Sequence, residues 1–591
     1  MTRWLQRGLL RCLLWLGWPL TALAMPQLAM EVSLDPATRQ FQATATLSDA
    51  RGLTGFALGP DFEITAMTIN GKPAQPDRRL ASADFRPNFR LPADSRTVTL
   101  HYRATLKPTP ALDHRQVLGN RAATAAPDGS FLPGAAGWYP DAGRFFSYRL
   151  TLQLPAGQKG LVPGNLVEEN DRPAGYRATF EVTHPADGID LMAGPYAVQE
   201  KALTLGSRQI RLRTWFHAEL ASHAPGYLDD SARYIERYSK LIGDYPFTIF
   251  SIVSSPTPTG FGMPSLTYLG RDVIKLPFIR ATSLGHEVLH NWWGNGVYPD
   301  WQKGNWSEGL TTFLADYAYK EDEGETAARE MRLGWLRDYA AVPPGADIAL
   351  KDFTSRHHGI ASIVGYNKAA MVFLMLRDRI GRDAFERGLR LLWQRKQFQT
   401  ASWDDLEAAF SAAAGQSQAD FFRQWIQRPG NPAFTPQQIA ADADFRLWRR
   451  IDPALFPPIL REVFVAPRTS LLIIDAQLDA PARALAGRLL DARPTVSSAE
   501  RPGEPTLVIG LTASVDAWLA SRKLQRPFPP HGTAQVWAAR AANNTPLVVI
   551  SVRDAEALGA LQRGLPHYGK QNWLVFDGPR ASDKGVLPPQ P

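Results

Sequence analysis

Two histidines four residues apart, His286 and His290 in the stretch SLGHEVLHNWWGN, constrain this chain more than any other feature, with Glu287 directly after the first and no proline from Ala281 to Trp293. In an α-helix, residues i and i+4 lie one turn apart on one face, so both imidazoles can reach a single ion. Glu287 then stands beside that ion as a proton acceptor rather than as a ligand. The plain alternative is a pair of surface histidines on an amphipathic helix. A zinc site of this kind needs a third protein ligand. The histidine six residues after the pair that a metzincin would supply is absent, because the third and sixth positions after His290 are Trp293 and Gly296. The stretch GNWSEGLTTFLADYAYKE instead offers Glu308 at the head of an amphipathic helix, with Ser307 before it as a candidate cap. Ser307 and Glu308 also read simply as an N-cap and a first-turn acid favoured by the helix dipole. Asp300, next to Pro299, is a competing ligand.

The surroundings of the motif divide the 591 residues into differently patterned blocks. From residue 25 to 205, segments such as QFQATATLSD, RTVTLHYRATL and YRATFEVTHP alternate apolar and polar residues between Pro, Gly and Asp clusters, which predicts an antiparallel β-sheet domain. Residues 206–434 are α-rich, with Ser402 and Ser417 placed as N-caps and Gly381, Gly415 and Gly430 placed as stops. In residues 435–591 apolar strands SLLIID, TLVIGL, PLVVISV and NWLVF alternate in part with helical stretches, as in a small α/β domain with a partly parallel sheet and a loose tail. The fold class expected is therefore multidomain α+β.

Residues 1–24 have the layout of a secretory signal peptide: Arg3, Arg7 and Arg11, an apolar run from Cys12, and Ala22-Leu23-Ala24 as a cleavage site. The alternative is an uncleaved membrane anchor, since no charge occurs between Cys12 and Met30. Cleavage removes Cys12, the one cysteine of the chain, and a disulfide-free exported chain suits a bacterial periplasm without stable membrane insertion. The net charge of +8 is mild for this length, and its basic residues are scattered among acids, which argues against nucleic acid as a partner.

With these residues in view, the chain resembles the aminopeptidase N family of gluzincins, the group that includes leukotriene hydrolase. The resemblance is carried by HEVLHNWWGN, similar to His-Glu-x-x-His-x-Trp-Phe-Gly-Asn, by NWSEG, similar to Trp-x-x-Glu-Gly, and by GYNKAAMVFLML, which looks like the family's Tyr-x-Lys-Gly helix start. It implies a β-sheet domain followed by a thermolysin-like catalytic domain over roughly residues 31–430. It also implies one zinc ion per chain held by His286, His290 and Glu308, with Glu287 as general base and Tyr366 as the phenol facing the tetrahedral intermediate. Three features depart from the family. Seventeen residues separate His290 from Glu308, where the family has eighteen. In GFGMPSLTYLG, Pro264 stands where the family has the glutamate that holds a substrate's free amino group, and Ser265 replaces its asparagine. The α/β pattern after residue 435 differs from the family's helical solenoid.

The expected reaction is peptide hydrolysis, with Glu287 taking the proton of the attacking water and passing it to the leaving amine. The stretch around Gly262 and Met263 is a candidate edge strand that binds a peptide by main-chain pairing, or else a plain Gly/Pro turn. Tyr366 has its own plain reading, a packed ring with its hydroxyl at the surface. Trp292, Trp293, Trp301 and Trp306 read mainly as packing, and His357 and His358 as solvated loop residues. The alternatives to an aminopeptidase are an endopeptidase with no need for a free N-terminus, a catalytically silent peptide-binding scaffold, and a non-peptide hydrolase.

Overall fold

The computed structural model describes residues 25–586, apart from 51, 79–87, 112–116, 118–121, 144, 344–345, 355–358, 430–457, 498 and 502. Residues 1–24, expected above to be a signal peptide, with His357, His358, Gly430 and the boundary near residue 434, lie outside the described residues. The chain forms two compact units, one of residues 1–112 with 119–197 and one of 113–118 with 198–591.

The first unit is built on an eight-stranded sheet. It runs from Asn165–Arg172 through Gly175–Ala186, Phe146–Leu154, Gln27–Asp35, Gln40–Ser48, Val98–Thr105 and Glu63–Ile69 to Lys72–Pro73. Alternation decides its faces: along Gln27–Asp35 every second residue is buried, with Leu28, Met30, Val32 and Leu34 facing the core. The neighbouring strands are antiparallel except at the centre, where Gln27–Asp35 pairs in parallel with Phe146–Leu154. That exception needs the long excursion between the two strands, because a tight hairpin can join only antiparallel neighbours.

The second unit holds two layered cores. Its first sheet has the order Tyr196–Leu205, Arg208–His217, Ile249–Ser255, Leu266–Gly270, Gly260–Met263, so the last strand forms an edge. All seven residues of Ile249–Ser255 are buried, as expected of a central strand covered on both faces. The helix Ala224–Leu241 lies on this sheet and also contacts the helix Ser283–Leu289, which carries His286. Trp292, Trp293 and Trp306 are fully buried in this core, while Trp301 is about half exposed. Ser402 closes a capping box with Asp405, and Gly381 (φ 84°) and Gly415 (φ 68°) end their helices as the sequence suggested. Ser417 sits one residue outside the cap, its Oγ accepting from the Ala419 N–H.

The second core belongs to a seven-stranded sheet in the order Thr495–Ser497, Ser470–Ile473, Thr506–Leu511, Pro546–Val552, Ala534–Arg540, Trp573–Asp577, Arg580–Gly585. The first four strands are parallel and the rest antiparallel, which gives the partly parallel α/β module read from the apolar runs.

Candidate metal centre

The His286 helix spans only Ser283–Leu289, with His290 as its C-cap, yet that single pair of turns puts both imidazoles on one face at a ring separation of 4.9 Å. Its close seating depends on Gly285, where any Cβ would collide with the Tyr319 hydroxyl. Opposite stands Glu308, and one ligand atom from each of His286, His290 and Glu308 falls within 4.8 Å of the others. Glu308 Oε2 lies 3.6 Å from His286 Nε2 and 3.4 Å from His290 Nε2. Ser307 is inside the helix that carries Glu308 rather than capping it. The cap position is Trp306, and the residue before it, Asn305, accepts at Oδ1 from the Ser307 N–H at 3.0 Å and from its hydroxyl at 2.7 Å. Asp300 is not part of the cluster; its Oδ1 accepts from the Gln302 N–H in the connecting loop.

The second ring nitrogens are committed elsewhere. His290 Nδ1 donates to the Trp293 carbonyl at 2.9 Å, and His286 Nδ1 donates to Asp316 Oδ2 at 2.9 Å. These bonds fix the tautomer that leaves both Nε2 lone pairs facing Glu308, the donor set and outer support that zinc takes from two histidines and a carboxylate. The side chains are 13%, 12% and 22% exposed, open enough for a substrate to reach the ion they would hold.

Asp316 is the functional residue that the sequence reading missed. In a regular α-helix a residue eight places after Glu308 points about 80° away from it. Here the helix widens to a π turn over Phe313–Tyr317 before resuming at Ala318–Glu323. One residue is absorbed, and Asp316 swings back to within about 20° of the Glu308 face, under His286. The available signal was an acid two turns beyond a proposed ligand, but regular periodicity discards it.

The charges at the centre balance one another. Burial raises the Glu308 carboxyl, but the imidazoles of His290 and His286 outweigh it and hold the group well below the usual carboxylate range. For His286 burial lowers the imidazole, and Asp316 reverses this and raises it well above its ordinary value. His290 is raised against its burial by Glu308, and the Glu287 carboxyl is raised by burial.

Glu287 rests against the edge strand Gly260–Met263. A Cβ on Gly262 would lie 2.5 Å from Glu287 Oε2 and 3.3 Å from His290, so only glycine lets the strand run this close. Met263 points its side chain into the core and leaves its backbone on the edge. The strand turns at Pro264-Ser265, with Ser265 in the left-handed region at φ 61°. This strained position is held by Asn291, fully buried on the turn after His290, whose Oδ1 accepts from the Ser265 N–H at 2.8 Å while its Nδ2 donates to the Val288 carbonyl.

Tyr366 lies on a second π turn, Ile363–Lys368, inside the helix that runs from Ile360 to Ile380. Its ring lies 6.5 Å from that of His286, at an interplanar angle of 11°, and packs edge-on against Phe353. Gly309, next to Glu308, permits direct contact between the two helices, since a Cβ there would strike Ala369. The structure thus brings together His286, Glu287, His290, Glu308, Tyr366 and Gly262.

Residues 280–425 match the peptidase family M1 domain. Over 266 residues the chain is 24% identical to aminopeptidase N of Escherichia coli K12, covering 42% of this chain and 30% of that protein. It is 27% identical over 165 residues to human glutamyl aminopeptidase, covering 26% of this chain and 16% of that one. Among solved structures, a two-domain M1 zinc metallopeptidase bound to L-arginine has a similar fold, with a TM-score of 0.55 and 19% identity over 69% of this chain and 95% of that one. An M1 zinc metallopeptidase of Deinococcus radiodurans bound to a Tyr-Ser-Ala substrate aligns at a TM-score of 0.52 and 18% identity, over 70% of this chain and 95% of that one. The chain spans about 30% of the length of the bacterial aminopeptidases N that it matches. Residues 280–425 thus match the peptidase family M1 domain, in a chain whose fold is similar to that of M1 zinc metallopeptidases and whose His286, His290 and Glu308 could together hold a metal ion.

Proposed function

We propose that this protein is an exported zinc metallopeptidase that hydrolyses peptide bonds, of the aminopeptidase type. The observation that carries the reading is the convergence of His286 Nε2, His290 Nε2 and a Glu308 oxygen, the two imidazoles oriented from behind, beside a carboxylate that is not one of the three. His286, His290 and Glu308 would hold the zinc. When bound, it supplies Lewis-acid polarisation of the scissile carbonyl and acidifies the attacking water. Glu287, pressed between Gly262 and the imidazoles, accepts the proton of that water and delivers it to the leaving amine nitrogen. The Tyr366 hydroxyl donates to the carbonyl oxygen as it gains charge, a contribution of about 2–4 kcal/mol to the barrier. The edge strand Gly260–Met263 lines up the peptide by main-chain pairing. Export rests on the sequence of residues 1–24 and predicts a mature N-terminus near Met25 in the periplasmic fraction, which N-terminal sequencing reads directly.

Pro264 favours a second reading. A proline in the turn offers no carboxylate to a substrate's ammonium group, so a free N-terminus need not be recognised there, as in an endopeptidase. Hydrolysis of one peptide, free and N-acetylated, separates the two: the aminopeptidase reading requires loss of turnover on acetylation. Metal analysis and the Glu287→Gln variant test the common mechanism. Zinc is expected at one per chain in both proteins, with turnover lowered at least about a thousandfold in the variant; equal turnover refutes the role of Glu287 and, if neither protein cleaves a peptide library, the chain is a silent scaffold.

A further inference from the structure

The module of residues 460–585 has no part in the chemistry above, yet two of its contacts fall on either side of Tyr366. Asn367, the next residue, donates from Nδ2 to Asp338 Oδ2 at 2.7 Å. Asp338 lies on the helix Glu325–Ala340 and its side chain is fully buried, a position that a carboxylate tolerates only when paired. Among the described residues, both cations paired with it come from the α/β module: Lys570 Nζ is 3.1 Å from Oδ2, and Arg461 Nε is 3.4 Å from Oδ1. Arg461 is itself fixed by its backbone N–H, which donates to the Gly569 carbonyl at 2.9 Å. At the other end, Gly359 precedes the first turn of the Tyr366 helix at φ 95°. It lies so close to Asp491 of the same module that any Cβ there would overlap the carboxylate.

We propose that the C-terminal α/β module is a positioning element for Tyr366, acting through the charge cluster Asp338–Arg461–Lys570 and the Asp491–Gly359 contact. The inference rests on the catalytic part assigned to Tyr366 above. A π turn has wider, less regular hydrogen bonding than an α-helix, and the side chain it carries is aimed by whatever packs against it. Here the packing partner of Asn367 is a carboxylate whose only cationic partners among the described residues are Lys570 and Arg461. Misplacing a catalytic group by about 1 Å can cost on the order of a hundredfold in rate, so a modest slackening of the cluster reaches the chemistry without altering the metal ligands.

The test compares Lys570→Met and Arg461→Met, each leaving the other cation in place, with wild type and with the same changes in a Tyr366→Phe background. In the wild-type background kcat is expected to fall about tenfold with KM and zinc content unchanged, and Lys570→Arg is expected to restore it. In the Tyr366→Phe background the same changes are expected to cost less than about twofold, because the group they position is gone. An equal cost in both backgrounds, or none in either, overturns the proposal. Amide hydrogen exchange over residues 359–368 reads the anchor without turnover: faster exchange in the two Met variants is expected, and unchanged exchange overturns the inference even if the wild type proves inactive, a result that by itself would defeat only the peptidase reading.

Discussion

On the side of the proposed zinc ligands, the two imidazoles have their second nitrogens tied down by Asp316 and the Trp293 carbonyl, and the Glu308 carboxylate lies within 3.6 Å of both Nε2 atoms. On the side proposed to face substrate the parts are the edge strand Gly260–Met263 and the Tyr366 phenol, and what packs behind them is indirect: glycines that allow contact, a buried amide behind a left-handed turn, and the Asp338 carboxylate that accepts from Asn367. The difference teaches that affinity for the ion and competence in the reaction are supported by different residues and should separate under mutation.

The largest separation is expected at Gly262. Gly262→Ala places a methyl against Glu287 Oε2, and kcat is expected to fall on the order of a hundredfold with zinc stoichiometry intact. Loss of zinc together with activity would show that the two sides are mechanically one. Asp316→Asn acts on the opposite side. It removes the charge behind His286, and zinc affinity, read by chelator competition, is expected to weaken about 10–100-fold, while turnover at saturating zinc stays within a few fold. If affinity held steady, the support of His286 would have to come from elsewhere. The smallest effect is expected for Asn291→Ala, which removes the Oδ1 that accepts from the buried Ser265 N–H. Stability is expected to drop by about 1–3 kcal/mol in denaturant unfolding. KM for peptides should rise several fold, with zinc retained; a strong loss of zinc would place Asn291 with the metal ligands instead.

The metal side was legible because its information is local. His286 and His290 share a helical face by spacing alone, Glu308 heads the next apolar-periodic helix, and the alternating and continuous apolar runs mark which sheets are covered on one face or two. The support was not legible because it breaks regularity or spans long sequence distances. Asp316 reaches His286 only through a π turn. Asn291 meets Ser265 from 26 residues away, and Asp338 meets residues 461 and 570 across a module boundary. The parallel pairing of Gln27–Asp35 with Phe146–Leu154 was hidden for the same reason, since strand alternation fixes a face but not a partner.

The missing side chain at Gly309 sets a dimension of the catalytic cleft. Where Gly309 meets Ala369, the helix of Glu308 and the helix of Tyr366 are in direct contact, and this joint leaves no room for a side chain between them. Accommodating a bulkier substrate therefore has to be achieved by reshaping the strand and turn on the far wall, because the spacing of the reactive groups themselves cannot be widened without prying two helices apart.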